Sequence, residues 1–590
     1  MDLTEESQNI QIDRASNIVF LISVIGLIVL LFDFGFNQEW EVQIAINIYY
    51  FIVLVSGIFI TVLRYLTQIK HIRIKVILFD IVTNIIILLI IGLHFFSSQA
   101  YKEATVFYSD DWLKLSILFT FVREFAVRKI NFQRNYLNPA QLFVISFIAI
   151  IFGGALLLML PNATVNGISF IDALFTSTSA VCVTGLIVVD TATFFTHFGQ
   201  IIIMLLIQVG GLGILTFVSY FSYFFKGGST FENHLVIKDM ANVEKIGEVY
   251  KILKNVLVIT LIIETIGAIM IYSSLNTDLL PTFYSRVFFS VFHSVSAFCN
   301  AGFSTLTNNL YEPGYEYNYS LHLSIVFLLV VGGLGFPIVS NSIYFLKYKF
   351  INLWAHLNNK PKIHKPRIVN LSTKIILFTT FSLILCGTLF IYLSEYNNAF
   401  KTHSEFGKIV SSLFAATTPR TAGFNTVNMA SLTLPTILIT MLLMWIGASP
   451  ASTGGGIKTS TFAISMMNFV SLAKNKTRLE LFRRQIPDTT IRRSYAIITL
   501  SILAIGSGII IISVFDPDKG LTNIAFEAIS AFGTVGLSLG VTAMLSVNSK
   551  IILILLMFTG RVGMISIIIA LIRKEKYSNY RYPDEEIIIN

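Results

Sequence analysis

Charge is what this chain has least of. Of its 590 residues, 13% are Asp, Glu, Lys or Arg and 54% are hydrophobic, against roughly 25% charged in soluble domains. Mean hydropathy is +0.74. With many apolar runs of about 20 residues, that deficit excludes a soluble globule and indicates a polytopic membrane protein. Long polar stretches are missing too. The longest are loops of about 20 to 30 residues, so no separate soluble domain is expected. Cysteine is scarce. Cys182, Cys299 and Cys386 lie in or near apolar segments without metal spacing, which excludes a zinc site and a disulfide framework. The nine histidines form no HExxH or paired pattern, and no nucleophile–base set stands at useful spacing, so an enzyme is not expected. No small-residue cleavage site follows the first apolar run, so no signal peptide is expected. The net charge of +9 points to membrane topology rather than nucleic acid, because the basic residues cluster in loops on one side.

What the chain does have is a short motif repeated four times. Ser179-Ala180-Val181-Cys182-Val183-Thr184-Gly185-Leu186 is followed by Ser296-Ala297-Phe298-Cys299-Asn300-Ala301-Gly302-Phe303. Then come Thr417-Thr418-Pro419-Arg420-Thr421-Ala422-Gly423-Phe424 and Ser530-Ala531-Phe532-Gly533-Thr534-Val535-Gly536-Leu537. Intervals of 117, 121 and 113 residues between the glycines at 185, 302, 423 and 536 mark an internal repeat. Each copy stands between a half-apolar segment of about 12 residues and a longer apolar run. A second glycine feature recurs in those runs: Gln208-Val209-Gly210-Gly211-Leu212-Gly213, Val331-Gly332-Gly333-Leu334-Gly335, Ile446-Gly447-Ala448 and Thr559-Gly560-Arg561-Val562-Gly563. Close helix packing explains these second glycines.

The expected architecture is all-α and polytopic, with four pseudo-repeated helix–pore loop–helix units around one central pore. Two domains are expected. Residues 1–135 form an N-terminal extension of about four helices, near 17–36, 42–66, 73–96 and 111–128. Residues 136–590 form the four-repeat domain, with units at about 136–230, 245–350, 370–475 and 490–575 and a short tail. The second helices of the units are expected at about 199–225, 320–346, 433–473 and 550–572. In the extension, Asp80, Arg123 and Arg128 loosely suggest a voltage sensor. A sensor helix needs a ladder of arginines at three-residue spacing, and the ladder is absent, so a lipid-facing or partner-facing extension is expected.

Lys/Arg-rich loops at 64–75, 128–134, 347–367 and 474–493 alternate with acidic or neutral ones carrying Glu39, Glu41, Asp110, Glu312, Glu316 and Asp516. By the positive-inside rule the N-terminus and unit linkers are cytoplasmic and the glycine loops face outward.

A segment of about 12 residues cannot span a bilayer and must return to the side it entered. Irregular backbone at membrane depth survives only where protein or a water-filled cavity satisfies it. Four such loops around one axis supply carbonyl oxygens that replace a cation's hydration shell, and Gly185, Gly302, Gly423 and Gly536 permit the required backbone. The loops carry no Asp or Glu ring of the kind a divalent-cation filter would use. The run Gly447-Ala448-Ser449-Pro450-Ala451-Ser452-Thr453-Gly454-Gly455-Gly456 cannot hold a helix in lipid and must line a cavity. It is not a nucleotide P-loop, because Ile457 separates Gly456 from Lys458. Arg561, in an apolar helix, faces a cavity or a partner. Glu264 and Glu395 are expected to pair structurally, and Cys182 and Cys299 to pack behind the loops.

These motifs, with Ser449–Thr459, Gly560-Arg561-Val562-Gly563 and the tail Tyr582-Pro583-Asp584-Glu585-Glu586, resemble the Trk/Ktr/HKT superfamily of potassium transporters, its bacterial ion-translocating subunits in particular. The resemblance covers about 138–587. It implies a backbone selectivity filter at Val183, Thr184 and Gly185; Asn300, Ala301 and Gly302; Thr421, Ala422 and Gly423; and Thr534, Val535 and Gly536. Glycine at all four positions favours potassium over sodium, since some plant relatives with serine at the first favour sodium. It also implies a gate at Gly447, Ser449, Pro450, Gly454, Gly455, Gly456 and Lys458 with Arg561 beside it. Further implications are a homodimer in the cell membrane and a separate cytoplasmic nucleotide-binding (RCK-type) regulatory subunit docking on the basic loops, with potassium as substrate and no bound cofactor. A sodium-selective or sodium-coupled carrier, and a membrane sensor with a vestigial pore, are the competing expectations.

Overall fold

The structure, a computed structural model, describes residues 2–68, 74–96, 110–127, 139–212, 249–361 and 369–571. Several sequence features lie outside them: Lys70, Arg73, Arg128, Lys129, Arg134, Gly213, Lys362, Lys365, Arg367 and the tail from 572, which carries Arg573, Lys574, Lys576 and Tyr582–Glu586. The chain divides into two compact units, one built on Met1–Phe132 and the other on the residues that follow.

The first unit holds four helices, Asp2–Gly35, Trp40–Gln68, Ile74–Phe96 and Asp110–Val127. Ile18, Leu21, Ile25 and Ile28 follow helical spacing and are exposed, the mark of a lipid-facing stripe. The opposite faces bury Tyr50, Val53, Leu54, Leu113 and Ile117. Among the described residues of this unit, buried charge is matched by opposite charge in ion pairs, two of them linked because Arg123 Nη1 also lies 3.5 Å from Glu124 Oε1. Arg64 meets Glu124 at 2.5 Å, Arg123 meets Asp80 at 2.8 Å and Lys114 meets Asp33 at 3.1 Å. Tyr65 donates to Asp80, and Arg123 Nη1 donates to Gly57 O. In a bilayer an ion must be neutralised by a neighbour. Arg123 and Asp80, the two residues that suggested a sensor, are partners in one such pair.

The second unit repeats one plan four times. A lead helix is followed by a short helix, a glycine loop and a return helix. The lead helices are Pro139–Leu158, Val249–Ser274, Leu371–Glu395 and Asp488–Phe515. The short helices are Phe170–Val181, Phe283–Phe298, Glu405–Thr417 and Leu521–Gly533. Ser169, Thr282 and Ser404 cap the first three through their side chains, and Gly520 starts the fourth without a side-chain cap. Five described helices are long and apolar enough to cross a membrane, or six if one bent pair counts as a span; no short helix is among them.

The return helices differ from the sequence expectation. The spans expected at 320–346 and 550–572 are not continuous. The second unit's helix is Tyr319–Leu334 followed by Phe336–Leu357 across a 105° bend. The fourth is Val547–Val562 followed by Met564–Leu571. The pivots are Gly335 at φ 79° and Gly563 at φ 83°, a left-handed backbone that glycine adopts without steric cost. The third is broken as expected, into Leu434–Trp445 and Thr459–Ala473. The first is described as His197–Gly211.

Each return helix packs on the short helix of the next repeat, and the fourth packs on the first. The seams show it in side chains. His197 meets Tyr284 at 2.6 Å, Tyr319 meets His403 at 3.2 Å, and Lys550 meets Asp172 at 2.7 Å. The four repeats therefore close into a ring in chain order.

Candidate ion pathway

The glycine loops lie at the centre of that ring. In each, the residue two before the glycine has positive φ: Val183 56°, Asn300 60°, Thr421 68° and Thr534 49°. The glycines themselves have φ 89°, 70°, 79° and 93°. A left-handed Val or Thr is uncommon, and four equivalent cases mark a backbone held by its surroundings.

Hydrogen bonds to the short helices do the holding. Thr184 N donates to Ser179 O and Ala301 N to Ser296 O, both at 2.7 Å; Ala422 N donates to Thr418 O and Val535 N to Ser530 O, both at 2.9 Å. The Ser179 and Ser530 hydroxyls accept from Gly185 N and Gly536 N at 3.0 and 3.1 Å. The Ser296 and Thr418 hydroxyls instead donate to Phe303 O and Phe424 O. Sequence reasoning gave these Ser and Thr side chains no role, although they stand at nearly equivalent places in each copy. His293 and Glu527, each nine residues before its glycine, brace Ser304 and Ser538 from behind at 2.9 and 2.5 Å.

These N–H groups thus turn away from the ring's centre, toward the short helices. Among the described residues, the carbonyls of Val183, Thr184, Gly185, Asn300, Ala301, Thr421, Ala422, Gly423, Thr534, Val535 and Gly536 accept no protein hydrogen bond; Gly302 O accepts one, from Asn309 Nδ2 at 3.3 Å. Yet Val183, Thr184, Ala301, Thr421, Ala422, Thr534 and Val535 are fully buried. Buried backbone oxygens need a partner. The four loops also touch in sequence. A Cβ on Gly185 would fall within 3.0 Å of Ala301 O, one on Gly302 against Ala422 O, one on Gly423 against Val535 O, and one on Gly536 against Thr184 O.

On one side the ring opens into a cavity of about 310 Å³ lined by all four glycines. On the other lies the irregular segment between Trp445 and Thr459. Its glycines allow close approach: Gly447 meets Gly455, and Gly454 and Gly455 meet Thr421 and Thr534. Gly455 N donates to Thr534 Oγ1 at 2.9 Å, and Gly456 N to Gly560 O at 3.3 Å. Ser449 N donates to Gly333 O at 3.1 Å, and Ser449 Oγ to Leu334 O. Lys458 Nζ folds back to Gly454 O at 2.6 Å. Pro450 is half-buried beside exposed Ala451. Thr453, which the sequence marks only as part of the break, lies within hydrogen-bond reach of the Asn300 amide at 3.3 Å, and that amide also reaches Thr421 Oγ1 at 3.4 Å. Arg561 donates Nη1 to Thr453 O and Nη2 to Gly210 O. All four repeats therefore hold this one segment, directly or through Arg561.

The second-helix glycines admit backbone contact. Gly210, Gly332 and Gly560 rest on the carbonyls of Val181, Phe298 and Phe532, each four residues before its loop glycine. Cys299 fills the space beside Gly211. Glu264 accepts from Gln208 at 3.1 Å, and Glu395 binds Thr433 and Asn398. Among the described residues no group of His, Cys, Asp and Glu could hold a metal ion.

The chain is also similar to known proteins. A family model described as "TrkH: Cation transport protein" matches residues 111–580. The chain is 37% identical to the Ktr system potassium uptake protein B of Bacillus subtilis, over 76% of this chain and 96% of that protein. It is 35% identical to the potassium/sodium uptake protein NtpJ of Enterococcus hirae, over 77% and 98%. Among solved structures, the potassium transporter TrkH from Vibrio parahaemolyticus superposes with a TM-score of 0.58 at 16% identity, covering 85% of this chain and 97% of that one. With most of its length matched by the family model, and curated relatives above 30% identity covered almost end to end, the chain belongs to the TrkH family of cation transport proteins.

Proposed function

We propose that the second unit takes up potassium ions across the cell membrane, with the four loops as selectivity filter. The observation that carries this reading is the set of buried loop carbonyls without protein partners. A dehydrated monovalent cation is the partner such a set fits. The short helices end at these loops, so their negative C-terminal ends add attraction for a cation. The potassium named for the B. subtilis relative supports the same substrate.

The segment Gly447–Lys458, with Arg561, is the gate. It closes the face of the ring opposite the cavity, and a cation leaving the loops would have to displace it. The cavity faces outward and the N-terminus is cytoplasmic, as the distribution of basic loops requires. Two such chains form a dimer. The exposed basic loop at 474–493, together with 347–367, docks a separate cytoplasmic nucleotide-binding regulator. Sodium coupling is the second reading, favoured by the potassium/sodium function in the name of the E. hirae relative.

The test is electrical recording of the purified chain in bilayers under opposed potassium and sodium gradients. Potassium should carry most of the current, and Gly302→Ser should abolish both that preference and growth rescue of a potassium-uptake-deficient cell. Equal sodium current at matched potential would reject the selectivity.

A further inference from the structure

The cavity above the loops has one charged side chain in its lining, Asp190. The rest of its polar wall is neutral, made of side chains such as Thr191, Asn308, Asn428 and Ser538. Asp190 follows the first glycine loop by five residues and is half-buried. It is held in place: Ala192 N donates to Oδ1 at 3.2 Å and Thr193 Oγ1 to Oδ2 at 2.7 Å. Each carboxylate oxygen keeps a free lone-pair site. Among the described residues no Lys or Arg pairs with it. Two other acids stand near this mouth: Glu527 is consumed behind the fourth loop by Ser538, Thr542 and Leu539 N, and Glu312, outside the lining, accepts from Asn308 N at 3.0 Å.

We infer that Asp190 is an outer cation-recruiting site, which holds a hydrated alkali cation in the cavity just before it sheds water at the loops. This rests on the potassium-uptake reading above. A fixed negative charge in a concave, low-dielectric mouth focuses its field into the cavity and raises local cation concentration. The neutral amides and hydroxyls of the wall suit a hydrated ion and do not compete with the carboxylate. A divalent cation is attracted more strongly by the same charge but cannot use a carbonyl filter built for a monovalent ion. External magnesium should therefore occupy the site and inhibit.

The test uses the full chain in liposomes, with potassium uptake measured at about 10 mM and about 1 M ionic strength, where the screening length falls from roughly 30 to 3 Å. Asp190→Asn preserves shape and can keep the Ala192 bond. It should raise KM about threefold at low ionic strength, the scale of one unit charge acting across a water-filled mouth, and leave Vmax and potassium/sodium selectivity unchanged. At high ionic strength the two proteins should converge, and magnesium should inhibit the variant less than the parent. Asp190→Lys should raise KM further. An unchanged KM at low ionic strength, or a shift that persists at 1 M, overturns the inference. Absence of potassium uptake by the parent chain would instead reject the function it rests on.

Discussion

The backbone N–H of Gly455 donates to the Thr534 hydroxyl at 2.9 Å, so the irregular segment between Trp445 and Thr459 is bonded to a glycine-loop residue with left-handed backbone. Both groups are buried. In the proposed closed state this bond ties the gate to the fourth loop. Movement of the segment must release the Thr534 side chain.

Thr534→Val tests that tie. Valine is as β-branched as threonine, so it adds no new strain at φ 49°. It removes the acceptor and leaves the Gly455 N–H buried without a partner, at a cost of about 1–3 kcal/mol to the closed arrangement. In an open arrangement that N–H meets water. Basal rubidium flux in liposomes without a regulator should rise at least about fivefold. Unchanged or lower flux would show that this bond does not hold the gate.

The fourfold loop was legible because repetition exposes it: residues of one type recur at one offset from Gly185, Gly302, Gly423 and Gly536. The break at Ser449–Gly456 was legible from composition. The breaks at Gly335 and Gly563 were not, because one glycine in an apolar run is compatible with a continuous helix. Only the positive φ at those residues reveals the turn. Thr453 carries no signal beyond its place in the Ser449–Gly456 break, and Asp190 carries none at all. One matters because folding brings it to Asn300 and Arg561, the other because it enters the mouth shared by four distant loops. The same holds for the pairing of Arg64 with Glu124, 60 positions apart.

That pair predicts a stability effect confined to the first unit. Its side chains are 9% and 0% exposed. Glu124→Gln should leave the Arg64 charge buried and weakly compensated, at about 3–5 kcal/mol. Limited proteolysis of the detergent-solubilised chain should then cut the first unit faster, with potassium/sodium selectivity unchanged. The double variant Arg64→Met with Glu124→Leu should regain most of the resistance, since an apolar pair removes both desolvation costs. A double variant as labile as the single one would show that the pair matters for something other than charge balance.

Asp516 makes the connection around the fourth lead helix pH-sensitive. Burial raises its pKa, but hydrogen bonds from Ser549 and Ser546 and the charge of Lys519 outweigh this and hold it below its usual 3.8. Ser546 donates both Oγ at 2.8 Å and N at 3.0 Å. A depressed carboxylate contributes stability that is full above about pH 4 and is lost as pH falls through the lowered folded value. Hydrogen exchange at Ser546–Ser549 should therefore accelerate, beyond the intrinsic rate change, only below pH 4. Asp516→Asn should remove that dependence. Acceleration already at pH 5–6 would assign it to another group.

Arg561 separates two ways of closing the path. Its guanidinium spans two carbonyls, Thr453 O on the proposed gate and Gly210 O on the first repeat, and among the described residues no carboxylate pairs with it. If closure is a clamp, the fork geometry matters, because a lysine ammonium is a point charge that cannot hold both oxygens in the same way. If closure is only repulsion of a passing cation, any positive charge suffices. Arg561→Lys and Arg561→Ala are therefore the informative pair. Hydrogen bonds from a charged donor are worth about 1.5–3 kcal/mol each, so loss of one raises basal flux by at least about tenfold. The clamp predicts that the lysine variant leaks nearly as much rubidium as the alanine variant. A lysine variant as tight as the parent, beside a leaking alanine variant, would assign closure to charge alone.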